Sequence, residues 1–165
     1  MAILKSEVWI KRLLAKQYRA GIRSRFFAFI YDMFCLYFVW VFVGIFTSAW
    51  MVLSSDAPLD YNLLEVRDYI LQYEAHRFYI NIGIQLIAVI LYIFVLPIAI
   101  LEHRTLGMML LGIKFLDENA DEITTKVFLK REILKWILFP GFFLSLSKEK
   151  RSTADKLSGT YVTYY

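Results

Sequence analysis

Two long stretches of almost uninterrupted apolar residues dominate the hydrophobic pattern of the chain. The first covers residues 26–53, 28 residues in which Asp32 is the one charged side chain, and the second covers residues 78–101, 24 residues without a charge. An α-helix needs about 20 apolar residues to cross a bilayer core. The first stretch is too long and too far along the chain for a signal peptide. The pattern therefore predicts two transmembrane helices.

A third apolar stretch, within residues 127–147, is shorter and interrupted. Its apolar part, residues 133–146, contains Lys135 near its start and Pro140 and Gly141 in its middle. Proline breaks a helix and frees backbone groups that lipid cannot satisfy. We therefore expect a broken third helix that is re-entrant or interfacial. A third full span is the alternative, but it would place the four Lys and Arg side chains that follow it outside, against the positive-inside rule.

Shorter periodic patterns predict the elements outside the spans. Residues 3–20 place apolar and basic side chains on opposite helical faces, which predicts a basic amphipathic helix bound to anionic lipid headgroups; a basic flank that is merely helical is the alternative. Residues 63–73 have the pattern of a short helix between the spans. Residues 111–116, residues 123–125 and the terminal run TYVTYY resemble strands, and DENAD resembles a turn, so we expect a small cytoplasmic β element.

Composition and charge also fit a membrane protein. Hydrophobic residues make up 59% of the 165 residues, against roughly 45–50% in soluble domains. Seven Lys and Arg residues precede the first span, two lie between the spans and ten follow the second, which predicts cytoplasmic termini and an outer segment over residues 54–77. This basic flank explains the net charge of +4 without nucleic acid as a partner. The predicted fold is an all-α membrane protein with a small β element, divided into an N-terminal helix (1–20) and a membrane domain (21–165).

The carboxylate of Asp32 is the unusual feature of the first span. It lies roughly 9 Å beyond Phe26 at about 1.5 Å per helical residue, where a charge must be paired, protonated or in contact with water. Arg25 shares its helical face but lies two turns away, about 10 Å along the axis. Lys130, Arg131 and Lys135 are equally plausible partners from the third apolar segment. Asp155 is a second carboxylate of interest, with a capping or surface role as the alternative.

Four motifs resemble one known family. R-x-x-A-x-x-x-D contains Arg25, Ala28 and Asp32; T-x-G-x-x-x-L-G-I-K begins at Thr105; Arg131 follows; and D-K-L-x-G-T-x-V begins at Asp155. In order and spacing they resemble the RDD family of bacterial membrane proteins, over roughly residues 20–165. The family is named for one arginine and two aspartates, which correspond here to Arg25, Asp32 and Asp155.

The chain departs from the family pattern at two positions. Met108 occupies a position that is often basic, and Ala154 occupies one that is often histidine. The resemblance implies a multi-pass protein of the bacterial inner membrane, and transport of an ion or small solute has been proposed for the family.

We therefore expect a transporter, most concretely a cation/proton exchanger. Asp32 is the expected binding site for a proton or cation, and Arg25 or Arg131 is expected to set the charge of the empty site. Asp155 is expected at the cytoplasmic mouth of the transport path. Asn81 and Gln85, together with Gly83 and Tyr92, are candidates for lining a path, with hydrogen bonding between helices as the alternative for Asn81 and Gln85. Two spans cannot enclose a path, so this hypothesis requires a homo-oligomer.

A membrane scaffold or assembly factor without transport is the alternative function. In that hypothesis Arg25, Asp32 and Asp155 hold the spans to the cytoplasmic β element. Enzymatic activity, a cofactor and a metal site are not expected, because the sequence shows no metal-ligand cluster, no nucleophile–base motif and no phosphate-binding glycine loop.

Overall fold

The computed structural model describes residues 14–15, 17–138, 145 and 149–164, and they are mostly helical. In chain order the helices are α1 (Ile22–Leu53), α2 (Leu63–Tyr73), α3 (Ala75–Ile90), α4 (Leu96–Ala99), α5 (Leu106–Leu110), α6 (Thr125–Ile137) and α7 (Thr153–Ser158). The strands are β1 (Ile113–Leu116) and β2 (Tyr161–Tyr164). The chain forms two compact units, one of residues 1–33 and 96–165 and one of residues 34–95.

Both predicted spans are confirmed as helices long and apolar enough to cross a membrane. They are Ile22–Leu53 and the continuous helical segment Ala75–Ala99, and in each the protein buries only 6% of the most apolar window. A core helix of a soluble protein would be mostly buried, whereas the apolar side chains of these two helices are exposed on the protein surface, as lipid-facing side chains are. The two helices are therefore candidate membrane spans by their length and composition.

The second span changes its winding shortly before Pro97. Proline lacks an N–H group, and its ring would clash with the carbonyl four residues earlier. The preceding turn, Leu91–Val95, is π-helical, which is one of the known ways in which a helix accommodates such a break. The span ends at Ala99. In the turn that follows, Glu102 and His103 have positive φ, and the His103 N–H donates to the Pro97 carbonyl (2.8 Å).

Helix α2 confirms the short helix predicted between the spans. Asn62 caps its first turn: its side chain accepts from the N–H groups of Leu64 and Glu65, while the Glu65 carboxylate accepts from the Asn62 N–H. Such a reciprocal arrangement satisfies donors that a helix start otherwise leaves unpaired. Within this unit, Val66 and Ile70 of α2 are buried together with Met51 of α1.

The other unit is built on the antiparallel pair β1–β2, in which Phe115 lies opposite Val162 and Leu116 opposite Tyr161. Its buried core contains residues from both strands, from α1 and from α6: Ala20, Ala28, Met108, Ile113, Phe115, Ile123, Phe128 and Val162. The strands predicted at residues 111–116 and at the C-terminus are thus confirmed as one two-stranded sheet.

The strand predicted over residues 123–125 is wrong. Glu122 makes a single bridge to Leu116, closing the DENAD turn, in which the Asp117 N–H donates to the Asp121 carbonyl (2.9 Å). Thr124 is the N-cap of α6, and Thr125 is its first residue. The β-branched side chains suggested a strand, but the amphipathic pattern that follows takes Thr125 into a helix.

The helix predicted over residues 3–20 is also wrong in its described part. Residues 14, 15 and 17–20 form turns and a β-bridge between Arg19 and Thr163. The Ala20 N–H donates to the Val162 carbonyl (2.8 Å), and the Tyr164 N–H donates to the Tyr18 carbonyl (3.0 Å). The free edge of β2 therefore pairs with this segment through one isolated bridge, and this pairing outweighs the helical periodicity of the segment. Residues 3–13 and 16 lie outside the described residues.

The third apolar segment begins as helix α6, which ends at Ile137. Pro140 follows soon after, and a residue before proline disfavours the helical conformation. Residues 139–144 and 146–148 lie outside the described residues, so a re-entrant or interfacial path stays a prediction.

Candidate functional site

Asp155 lies at the centre of a buried ion cluster. Ser152 and Asp155 form a capping box: the Asp155 N–H donates to Ser152 Oγ (3.2 Å), and Asp155 Oδ2 accepts from the Ser152 N–H (2.9 Å). Gly159 ends this helix, α7, with a φ of 67°, a value that favours glycine. The side chain of Asp155 is fully buried, so its charge requires partners inside the protein.

Two arginines from distant elements supply those partners. Arg25 of α1 donates to Asp155 and also to the carbonyls of Ala20 (3.2 Å) and Lys150 (2.9 Å). Arg131 of α6 donates from Nε to Asp155 Oδ1 (3.1 Å), and its guanidinium lies 3.8 Å from the centre of the Phe115 ring. The first span, α6 and α7 are thus joined at one carboxylate.

The two arginines keep Asp155 ionised. Burial by itself would raise the pKa of Asp155, but the charges of Arg131 and Arg25 and the Ser152 N–H together lower it from 3.8 to about 2. The capping role considered for Asp155 is therefore real, and it coexists with a buried ion cluster that spacing alone does not reveal.

Asp32 does not pair with Arg25, the nearest basic residue on its helical face. Arg25 leans towards the start of its helix, as helical side chains do, and the carboxylate that it binds is Asp155. Asp32 Oδ1 instead accepts from the Gly107 N–H (2.8 Å), and the Thr105 side chain also hydrogen-bonds to it. The hypothesis of an Arg25–Asp32 pair is thus replaced by an Arg25–Asp155 pair.

A close backbone contact explains why this arrangement needs glycine. A Cβ atom built on Gly107 would lie 2.1 Å from the carbonyl oxygen of Ala28, which is far inside van der Waals contact. Ala28 is one helical turn before Asp32, so the contact that requires Gly107 also delivers its N–H to the carboxylate. The motif that contains Ala28 and Asp32 therefore packs directly against the motif that contains Thr105 and Gly107. This contact is the Gly107 joint.

Lys135 is the candidate partner that the structure brings to Asp32. The charges of Lys135 and Glu132 both act on Asp32. Lys135 also forms an ion pair with Glu132, and Glu132 accepts from Arg131 Nη1 (3.0 Å). Glu132 is 1% exposed. Sequence reasoning missed Glu132, although its position three residues before Lys135 on one helix was a usable signal for a pair.

These groups surround a cavity of about 140 Å³ within this unit. Its polar lining includes Asp32, Thr105, Arg131, Glu132 and Lys135, and its apolar lining includes Phe26, Phe29, Phe115, Leu138, Met108 and Ala154. One buried water needs roughly 10–15 Å³, so the cavity has room for several. Both positions at which the chain departs from the family pattern, Met108 and Ala154, line this space.

Asn81 and Gln85 lie in a hydrogen-bonded network within the other unit. Asn81 Oδ1 accepts from Thr47 Oγ1 (2.8 Å) and from Gln85 Nε2 (2.5 Å), and Asn81 Nδ2 donates to Ser48 Oγ (3.3 Å). Thr47 and Ser48 belong to α1, so these bonds connect the two spans. This is the helix-to-helix hydrogen bonding that was the alternative to a path-lining role. Gly83 and Tyr92 share the second span, with Tyr92 in its π-helical turn.

No metal centre accompanies these residues: within the described part of the chain, no group of three or more His, Cys, Asp and Glu side chains could hold a metal ion.

The comparisons with known proteins identify the family. The model of the RDD family matches residues 19–159, a range that contains the buried ion cluster, the Gly107 joint and the cavity. No curated protein and no solved structure matched the chain. Since the match covers most of the sequence, the chain belongs to the RDD family of membrane proteins.

Proposed function

We propose that this protein carries a small ion or solute across the membrane, most concretely by exchanging a cation for a proton at Asp32. The cavity carries this proposal. A partly open space lined by Asp32, Glu132 and Lys135 gives a cation or proton a place to bind.

Lys135 supplies a mechanism for the exchange. Its ammonium is attracted by two carboxylates, Asp32 and Glu132. A cation or proton that binds Asp32 neutralises its charge, so that Lys135 then pairs with Glu132 alone. When the bound ion leaves, the Asp32 carboxylate attracts Lys135 again. The lysine thus competes with the transported ion. Asp32, Glu132 and Lys135 together carry a net charge of −1 when the site is empty and no net charge when a proton or a monovalent cation is bound.

The ion cluster of Arg25, Asp155 and Arg131 has a supporting role in this proposal. Its members are already bonded to one another, and Asp155 is fully buried beneath them. The cluster fixes α1 and α6 in the positions from which Asp32 and Lys135 reach the cavity.

The path itself requires more than one chain. Two spans cannot enclose a route through a bilayer, so we propose a homo-oligomer, most simply a symmetric dimer. The distribution of Lys and Arg residues supports cytoplasmic termini and an inner-membrane location, with the cavity towards the cytoplasm.

Proton flux in proteoliposomes tests the proposal. Pulses of Na⁺, K⁺ and Li⁺ are given to vesicles containing the parent protein, Asp32→Asn or Asp68→Asn. Asp68→Asn is the matched control because Asp68 lies in α2, where its side chain is 64% exposed and paired with Arg67. We expect flux from the parent and from Asp68→Asn and none from Asp32→Asn. Absence of flux from all three, with every cation, would overturn the exchange proposal.

A scaffold without transport is the second candidate, and a separate observation favours it. Arg25, Arg131 and Asp155 join the first span, α6 and α7 at one buried point, which suits a protein that presents a rigid surface. A parent protein that is folded, monomeric and inactive in the flux assay would favour this function.

A further inference from the structure

The aromatic ring of Tyr161 lies against two guanidinium groups. The Cζ atom of Arg19 is 4.6 Å from the ring centre, and the Cζ atom of Arg151 is 4.1 Å from it. Contacts of this kind hold arginine side chains in fixed orientations at little cost in solvation, because a guanidinium is weakly hydrated. Two cations are therefore ordered beside one tyrosine.

The hydrogen bonds of these arginines go to neutral acceptors. Arg19 donates from Nε to the Leu14 carbonyl (2.9 Å) and from Nη1 to the Glu149 carbonyl (3.0 Å). Arg151 donates to the Tyr161 hydroxyl (3.2 Å) and to the Asp155 carbonyl (3.2 Å). In the described part of the chain, neither guanidinium forms an ion pair with a carboxylate. Their charges are thus ordered but only weakly neutralised.

Two lysines and one acid complete the group. Lys150 Nζ donates to the Arg19 carbonyl (3.2 Å), and Lys156 pairs with Glu149 (2.8 Å). The Glu149 side chain is 60% exposed, so its neutralising effect is reduced by solvent. The Tyr161 cluster, defined as Arg19, Lys150, Arg151 and Lys156 around Tyr161 with Glu149, therefore carries four positive charges and one negative charge.

The cluster lies close to the start of the first span. Arg19 is three residues before Ile22, where α1 begins, and an extended chain rises about 3.3 Å per residue. Arg19 is therefore within about 10 Å of the span, the depth of the lipid headgroups. Its backbone is bridged to Thr163 of β2, the strand that carries Tyr161, so the cluster is fixed relative to that end of the span.

We propose that the Tyr161 cluster binds a phosphate-bearing anion, either the headgroup of an anionic phospholipid or a soluble phosphate. Ordered arginine forks suit phosphate oxygens, which accept several N–H donors at once. The site is separate from Asp32 and does not depend on transport. Glu149 competes with the anion for the same cations.

Binding to the purified full-length protein in a neutral detergent tests the proposal. The probes are short-chain phosphatidylglycerol, short-chain phosphatidylcholine and inorganic phosphate, each titrated by microscale thermophoresis. The variants are Arg19→Gln, Arg151→Gln and Glu149→Gln. Arg67→Gln is the control because it removes the same charge from an exposed residue of α2. Thermal unfolding of each variant shows that it is folded.

Each arginine near an anionic surface contributes about 1 kcal/mol, or about fivefold in affinity. We expect Arg19→Gln and Arg151→Gln to weaken binding of the phosphatidylglycerol about fivefold each, Arg67→Gln to leave it unchanged, and Glu149→Gln to strengthen it. The last result cannot arise from unfolding.

Tighter binding of phosphatidylglycerol than of phosphatidylcholine and inorganic phosphate identifies a lipid headgroup as the ligand. Binding of inorganic phosphate as tightly as phosphatidylglycerol identifies a soluble anion. Equal affinity in the parent, both arginine variants and Glu149→Gln would overturn the proposal.

Discussion

The contact between Gly107 and Ala28 gives the sharpest prediction. In Gly107→Ala, the new methyl group would lie 2.1 Å from the Ala28 carbonyl oxygen, so α5 and α1 must move apart. Overpacking of this kind costs about 1–3 kcal/mol. The same movement lengthens the bond from the Gly107 N–H to Asp32 (2.8 Å), and an unsatisfied partially buried group costs about 1–3 kcal/mol more. The free energy of unfolding should therefore fall by about 2–6 kcal/mol.

Thermal unfolding in detergent measures this loss. At about 2–4 °C per kcal/mol for a chain of this size, the Tm of Gly107→Ala should fall by about 4–24 °C. Gly83→Ala is the matched control because a Cβ atom there meets nothing within 4 Å, and alanine favours a helix over glycine. Equal Tm values for Gly107→Ala and Gly83→Ala would refute the joint between the two motifs.

Three further predictions concern the ion cluster and the network between the spans. Because the folded pKa of Asp155 is about 2 against an ordinary 3.8, its ionisation stabilises the fold by about 2 kcal/mol above pH 4, and this stabilisation is lost as the pH falls towards 2. The unfolding free energies of the parent and of Asp155→Asn should therefore converge near pH 2, and a difference between them that does not change with pH would contradict the pairing. Arg25→Lys should lower the unfolding free energy by about 1–3 kcal/mol, because one ammonium cannot reach the three acceptors of Arg25; an unchanged denaturant midpoint would contradict this. Asn81→Leu should cost about 1–2 kcal/mol while leaving flux per folded molecule intact, and a selective loss of flux would instead assign Asn81 to the path.

The sequence was most informative where the pattern was long. The two apolar stretches predicted both spans, because an uninterrupted apolar run of that length has few other stable arrangements. Short patterns were less reliable. Residues 123–125 have the pattern of a strand, yet Thr124 caps α6 and Thr125 begins it. Residues 17–20 have the pattern of a helix, yet Arg19 pairs with the edge of β2. Tertiary pairing decides such segments.

The structure brings the four predicted charged residues into one unit, but it connects them differently from the prediction and adds Glu132. Arg25, Asp32, Arg131 and Asp155 all belong to one unit of the structure. Spacing along α1 suggested that Arg25 binds Asp32, but a partner 130 residues away, Asp155, takes that arginine. Such a long-range contact depends on how α7 folds back, which a single sequence does not reveal.

The two departures from the family pattern lie in the same place, the wall of the cavity. Met108 and Ala154 are 5% exposed, and both line the space beside Asp32. In this chain those walls are apolar, so the ionisable groups of the cavity come from α1 and α6. Glu132 and Lys135 therefore carry the charge balance opposite Asp32.

We propose that the cavity at Asp32 carries transport and that the ion cluster at Asp155 stabilises the fold. Cation-driven proton flux per folded molecule, measured for Asp32→Asn and Asp155→Asn after each is purified by size exclusion, tests this division directly. We expect Asp32→Asn to be stable and inactive, and Asp155→Asn to be less stable but active in the fraction that remains folded. Full activity of Asp32→Asn would contradict the account.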